Sequence, residues 1–324
     1  MRRLVVGVTA LAAALAGCGG GAAGGDGTVT VVASFYPLAE AAARVGGDDV
    51  EVTNLTPAGT EPHDLELTPA QVDAVEDADV VLYLGGGFQP AVERVAERRG
   101  GGAVDLLAEL PVEEGAAGDD EHAGDDEHAG DDEHAGDDEH AGDDEHAGED
   151  VDPHFWLDPT LLAQAVGVIE RALAEAEPSA RPGIEARAEA YRTELQRLDD
   201  ELRAGLADCG RRDIVVSHAA FHYLAERYEL AQVPIAGLSP EAEPDPARLA
   251  ELTDLIGDRG VTTVFYEALV SPAVAETLAR EAGVATAVLD PIEGLSRADA
   301  DAGADYGAVM RRNLAALREA LECR

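Results

Sequence analysis

Four residues in this chain combine a metal-ligating side chain with a position where the backbone changes direction. His63 lies in Thr60-Glu61-Pro62-His63-Asp64-Leu65-Glu66, and His154 in Asp152-Pro153-His154-Phe155-Trp156-Leu157-Asp158-Pro159. His218 follows an apolar run in Val216-Ser217-His218-Ala219-Ala220-Phe221, and Asp290 follows another in Leu289-Asp290-Pro291-Ile292-Glu293. Three imidazoles and one carboxylate suit Zn²⁺, a borderline-soft ion that takes nitrogen and carboxylate oxygen at about 2.0–2.2 Å in a tetrahedral shell. Glu61, two residues before His63, and His222, four after His218, are expected to lie behind or beside these ligands. His218 and His222 would share a helix face in the spacing used by His-Glu-x-x-His metalloproteases, but Ala219 stands where the general base belongs. Glu61 or Glu293 could be nominated as a base for metal-assisted hydrolysis, yet a closed set of four ligands leaves no place for a substrate. No enzymatic activity is expected.

A second set of imidazoles has a different character. Gly-Asp-Asp-Glu-His-Ala occurs five times without change, placing His122, His128, His134, His140 and His146 six residues apart. Nothing larger than alanine is available there for a core, and like charges repel, so a disordered, exposed loop over 118–150 is expected. Imidazole beside carboxylate makes many weak sites for divalent metal. A solvated acidic linker is the bland alternative.

The elements that must position the four ligands read as alternating strands and helices. Strands are expected at Val29 to Ala33, Val50 to Leu55 and Asp79 to Leu84, then at Ile214 to Val216, Val233 to Ala236, Thr262 to Tyr266 and Ala285 to Leu289. Such alternation implies parallel sheets with crossover helices, and three of the four candidates follow strand ends, where open α/β sheets bind ligands. Thr68-Pro69-Ala70-Gln71 carries a capping-box start. Between the two α/β regions, Ile184, Ala188, Tyr191, Leu195, Leu198, Leu202 and Leu206 recur at spacings of three and four, one apolar face of a helix about 35 Å long that could join two lobes. The division expected is a leader over 1–17, a tether over 18–27, a first lobe over 28–157, a helical connector over 158–210 and a second lobe over 211–324.

The start of the chain supplies an address. Met1-Arg2-Arg3 is basic, the run to Ala16 is too short for a stable span, and Leu15-Ala16-Gly17-Cys18 resembles a bacterial lipobox, which makes Cys18 the expected lipidation site. The chain is then an extracytoplasmic body held to the membrane by lipid. Cys209 and Cys323 remain, an even number in an exported protein, and a disulfide between them is expected. The formal net charge of −43 excludes nucleic acid as a partner, since phosphate binding needs Lys and Arg. The repeat region accounts for 17 of the 66 acidic residues, which leaves 49 acidic against 23 basic residues elsewhere, a body that still favours cations.

Glu61-Pro62-His63-Asp64, Pro153-His154-Phe155-Trp156-Leu157-Asp158-Pro159, Ser217-His218-Ala219-Ala220-Phe221 and Leu289-Asp290-Pro291 resemble, in this order, the metal-binding motifs of the cluster A-I zinc/manganese solute-binding proteins of ABC transporters. The resemblance spans nearly the whole mature chain. It implies two α/β lobes joined by a long rigid helix with the metal in the cleft, His63 and His154 coming from the first lobe and His218 and Asp290 from the second. It further implies a monomer that delivers metal to a permease and its ATPase. His218 stands where manganese-type members carry glutamate, so Zn²⁺ is expected over Mn²⁺, the harder ion. The alternatives are a manganese- or iron-specific member and a metal-storing surface adhesin lipoprotein that works through its acidic loop.

Overall fold

The structure is a computed structural model that describes residues 28–112, 151–242 and 244–324. In the first lobe β1 (Val29–Ala33), α1 (Tyr36–Gly46), β2 (Val50–Asn54), α2 (Pro69–Asp77), β3 (Val80–Tyr83), α3 (Pro90–Arg99), β4 (Ala103–Asp105) and α4 (Leu106–Glu109) follow one another. Two long helices come next, α5 (Pro159–Ala176) and α6 (Arg181–Leu206). The second lobe contains β5 (Asp213–Val216), α7 (His222–Arg227), β6 (Ala231–Pro234), α8 (Pro246–Arg259), β7 (Thr263–Tyr266), α9 (Ala273–Ala282), β8 (Ala285–Val288), α10 (Arg297–Ala302) and α11 (Tyr306–Ala320). Each lobe holds a parallel four-stranded sheet, ordered β2-β1-β3-β4 and β6-β5-β7-β8.

The two sheets repeat one construction, so both direct their strand carboxyl ends at the same cleft. β3 is Val-Val-Leu-Tyr and buried throughout, as expected for a strand covered by helices on both faces. Thr68 caps α2 with a full capping box, and Asp158 caps α5 by accepting from the Thr160 N–H ahead of a proline in the first turn. β4 was not anticipated from the sequence; its three residues are half-buried at a sheet edge and too few to show a period. β6 begins two residues earlier than expected.

α6 runs for 26 residues, about 39 Å at 1.5 Å per residue. Its apolar stripe is buried from Ile184 to Leu206, against α5 along its length and also against α1 of the first lobe and α11 of the second. One buried residue breaks the stripe. Asp199, 1% exposed, accepts from Arg227 Nε and Nη2 at 3.0 and 2.9 Å, from Arg203 at 3.0 Å and from the Tyr228 hydroxyl at 3.1 Å. Arg227 also lies 3.8 Å from Asp158, so one guanidinium joins the cap of α5, the middle of α6 and the end of α7. Burial opposes ionisation of Asp199, but the two arginines outweigh it and hold its pKa below the usual carboxylate range.

Cys209, just beyond α6, and Cys323, just beyond α11, form a disulfide with Cα atoms 3.8 Å apart. It closes the second lobe onto the end of the strut. Because the bond spans 114 residues, its removal frees a long loop in the unfolded chain. Replacing both cysteines by serine is expected to cost about 2–5 kcal/mol in denaturant-unfolding stability. A variant as stable as the parent under non-reducing conditions would contradict this.

Candidate metal centre

Four side chains converge in the cleft from four separate loops. His63 sits between β2 and α2, His154 opens the short 3₁₀ turn Phe155–Leu157, His218 lies two residues beyond β5, and Glu293 lies five beyond β8. Their ligand atoms all fall within 4.8 Å of one another. Glu293 Oε1 is 3.1 Å from His154 Nε2, 3.2 Å from His218 Nε2 and 3.5 Å from His63 Nε2. The Nε2 atoms of His154 and His218 are 3.4 Å apart. His154, His218 and Glu293 are buried, while the His63 side chain keeps 12% of its surface and marks the solvent side.

Behind two of the imidazoles stand carboxylates that set their tautomers. His154 Nδ1 lies 2.7 Å from Asp152 Oδ1, which also accepts from the His154 backbone N–H at 2.9 Å. His218 Nδ1 lies 2.6 Å from Glu267 Oε1. An Nδ1–H donating to carboxylate turns Nε2 toward the centre, where it can exchange its proton for a metal, the arrangement that orients metal-ligating histidine and raises its basicity. His63 is steadied by the Phe88 ring at 4.6 Å and by its backbone N–H donating to Glu61 Oε2 at 2.9 Å.

These charges shift one another strongly. Burial works against protonation of His218, but Glu267 and Glu293 prevail and raise its pKa to about 10. His154 is raised in the same way, burial being overcome by Asp152 and Glu293. Burial alone would raise Glu293, yet the three imidazoles bring it well below its ordinary value. Glu61 is pushed up to about 8 by burial and then by the Glu293 charge. Three buried side-chain atoms of this centre lack a hydrogen-bond partner among the described residues, His63 Nε2, Glu61 Oε1 and Asp152 Oδ2. His63 Nε2 lies 3.5 Å from Glu293 Oε1, directed at the middle of the cluster. An unpartnered buried nitrogen in a site of this composition is what an incoming cation satisfies.

The structure brings together three of the four ligands anticipated from sequence, and Glu293 stands with them where Asp290 was expected. Asp290 stands outside the cluster, its Oδ1 accepting the Ile292 N–H at 2.8 Å. Glu293, three residues on, enters instead. α7 begins at His222, so His218 lies before the helix and the two do not share its face. His222 is 35% exposed and faces Glu226 at 3.9 Å. Glu267 was missed, although it directly follows β7 and the rule about strand carboxyl ends applies to it as to His218. Cys18 and the repeat histidines His122, His128, His134, His140 and His146 lie outside the described residues.

Residues 31–320 match the family model described as ZnuA, the periplasmic zinc-uptake complex component A. The zinc-binding lipoprotein AdcA of Streptococcus pneumoniae is 36% identical over 301 residues, covering 91% of this chain and 56% of the relative. This chain thus spans little more than half the length of that protein. The high-affinity zinc uptake system protein ZnuA of Bacillus subtilis is 36% identical over 292 residues, 90% of this chain and 87% of the relative. The crystal structure of the Zn(II)-bound ZnuA-like domain of Streptococcus pneumoniae AdcA superposes with a TM-score of 0.72 at 33% identity, covering 91% of this chain and all of that one. With a family model matched over most of its length and a relative at 36% identity covered to 87%, the chain belongs to the family of the periplasmic zinc-uptake component ZnuA.

Proposed function

We propose that this chain captures Zn²⁺ outside the cytoplasm and hands it to a membrane permease driven by an ATPase. The observation that carries the reading is the convergence of His63, His154 and His218 on Glu293, with two Nδ1 atoms already committed to carboxylates. Three nitrogens and one oxygen match zinc, and a third imidazole in place of a carboxylate disfavours the harder Mn²⁺. Ligands drawn from both lobes make closure of the cleft part of binding, which suits a carrier that must later open to release its cargo. Among the described residues no helix is long and apolar enough to cross a membrane, in keeping with a body held by lipid at Cys18. The repeat histidines would act apart from this centre, as weak collectors, since ordering backbone around an ion costs about 1–2 kcal/mol per residue.

His218→Ala removes one nitrogen and leaves Glu267 and Glu293 with less compensation. Zinc affinity is expected to fall by on the order of a hundredfold or more with the fold retained, because a lost ligand together with buried unpaired charge costs about 3–5 kcal/mol. Competitive titration against a chelator, with circular dichroism to confirm folding, decides the point, and an unchanged Kd would remove His218 from the centre. Because His218 holds its proton up to about pH 10, zinc must displace that proton at neutral pH. Affinity should therefore go on rising with pH well past 7, and heats of binding in buffers of different ionisation enthalpy should reveal released protons. A plateau above pH 6.5 would contradict this charge balance. Deleting 118–148 is expected to abolish several weak zinc equivalents in equilibrium dialysis, spare the tight one, and slow loading when zinc is scarce; loss of the tight equivalent would place the repeat at the centre.

A further inference from the structure

Glu293 reaches the cleft through a turn that should not persist unaided. Ile292, immediately before it, has φ of +58°, a left-handed conformation in which a β-branched residue is a genuine outlier. Such a backbone survives only where its surroundings over-determine it, and such places cluster at ligand clamps. Here the surroundings are specific. From within the turn, Asp290 Oδ1 accepts the Ile292 N–H at 2.8 Å. From α11, Asn313 grips the Asp290 backbone on both sides, its Oδ1 accepting the N–H at 3.0 Å and its Nδ2 donating to the carbonyl at 2.7 Å. From the first lobe, the Trp156 indole N–H donates to the Pro291 carbonyl at 2.7 Å.

The last of these bonds crosses the cleft. Trp156 is the chain's single tryptophan, is fully buried, and lies two residues after His154 with its ring 5.2 Å from that imidazole. Its own carbonyl accepts from the Tyr306 hydroxyl of α11 at 2.6 Å, so the residue is gripped at both ends by the second lobe. The ligand loop of one lobe is thereby bonded to the ligand turn of the other. A turn released from these bonds would relax toward negative φ at Ile292, which redirects the Glu293 side chain away from the imidazoles.

We infer that Asp290 and Trp156 are positioning residues for metal capture: the Asp290 carboxylate and the Trp156 indole together clamp the strained turn that presents Glu293 to His63, His154 and His218. Asp290 acts through its acceptor oxygen and not as a ligand. Trp156 makes the bond only when the lobes are together, so it links presentation of Glu293 to closure. This rests on the reading of the cluster as a zinc centre.

The test uses the mature full-length chain, with zinc affinity and dissociation rate taken by competition with a tight chromophoric chelator, which leaves the weak repeat sites unread. Trp156→Phe and Asp290→Ala are each expected to weaken zinc by on the order of tenfold, the loss of one buried hydrogen bond, and to speed its release. Asp290→Asn keeps the acceptor oxygen and should recover affinity to within about threefold of the parent. Thermal midpoints of the metal-free variants are measured alongside. A lowered midpoint with parental zinc affinity in both Trp156→Phe and Asp290→Ala would reduce the two residues to fold stability and overturn the inference. Asp290→Asn as weak as Asp290→Ala would make the charge the operative feature and overturn the clamp. Should Trp156→Phe fail to fold, the Asp290 pair decides by itself. His218→Ala separates the two levels: if it binds zinc like the parent, the centre is misassigned, whereas loss in His218→Ala alone sinks only the clamp.

Discussion

A carboxylate buried between two lobes must be neutralised, and most of this molecule is arranged around that requirement. Glu293 stands in a cleft with Asp152 and Glu267 close behind its imidazole neighbours, all of them almost without solvent. Unpaired charges in such surroundings would cost several kcal/mol each. In the metal-free chain the compensation comes from protons on imidazoles held above their ordinary pKa. A divalent cation supplies the same compensation from one point, to which the Nε2 atoms are already directed. Protons and zinc are therefore competitors for one electrostatic vacancy that the fold creates by bringing carboxylates from both lobes together.

Closure of the lobes is what creates it. Besides the Trp156 to Pro291 bond, the Gly59 N–H donates to the Leu295 carbonyl at 2.8 Å, and the Tyr223 hydroxyl donates to the Asp152 carbonyl at 3.0 Å. Gly59, at φ +80°, can make the first of these because it tolerates the left-handed region. Each bond adjoins a candidate ligand: Gly59 lies on the His63 loop, Asp152 carries the His154 Nδ1 bond, and Leu295 follows Glu293. Metal geometry and lobe position are consequently one variable.

The strut opposite the cleft limits how that variable can move. α6 packs on elements of both lobes, the Asp199 knot fixes α7 and the start of α5 against it, and the disulfide secures its far end to the close of α11. α7 and α5 are the helices that follow the His218 and His154 segments, so the knot holds the two histidine-bearing segments to a common rod. A long helix packed on both lobes resists bending, which limits how far the cleft can open.

The amino-acid order by itself determined the parts of this protein that depend on local pattern. Strand runs, the apolar stripe of α6, the Thr68 capping box and the placement of His63, His154 and His218 beyond strand ends or before a helix all follow from periodicity and side-chain chemistry over a few residues. Only the tertiary structure decided between Asp290 and Glu293. Both are acidic and both follow the last strand; Glu293 stands in the cluster beyond a positive φ at Ile292, in a turn whose Pro291 carbonyl is bonded by Trp156, 135 positions from it. The roles of Glu267 and Asp199 were likewise hidden, since a buried acid is defined by partners from other elements and not by its neighbours in the chain. Periodicity reports which face of an element is apolar; it carries no information about which polar groups the packing of those faces will bring within 3 Å of each other.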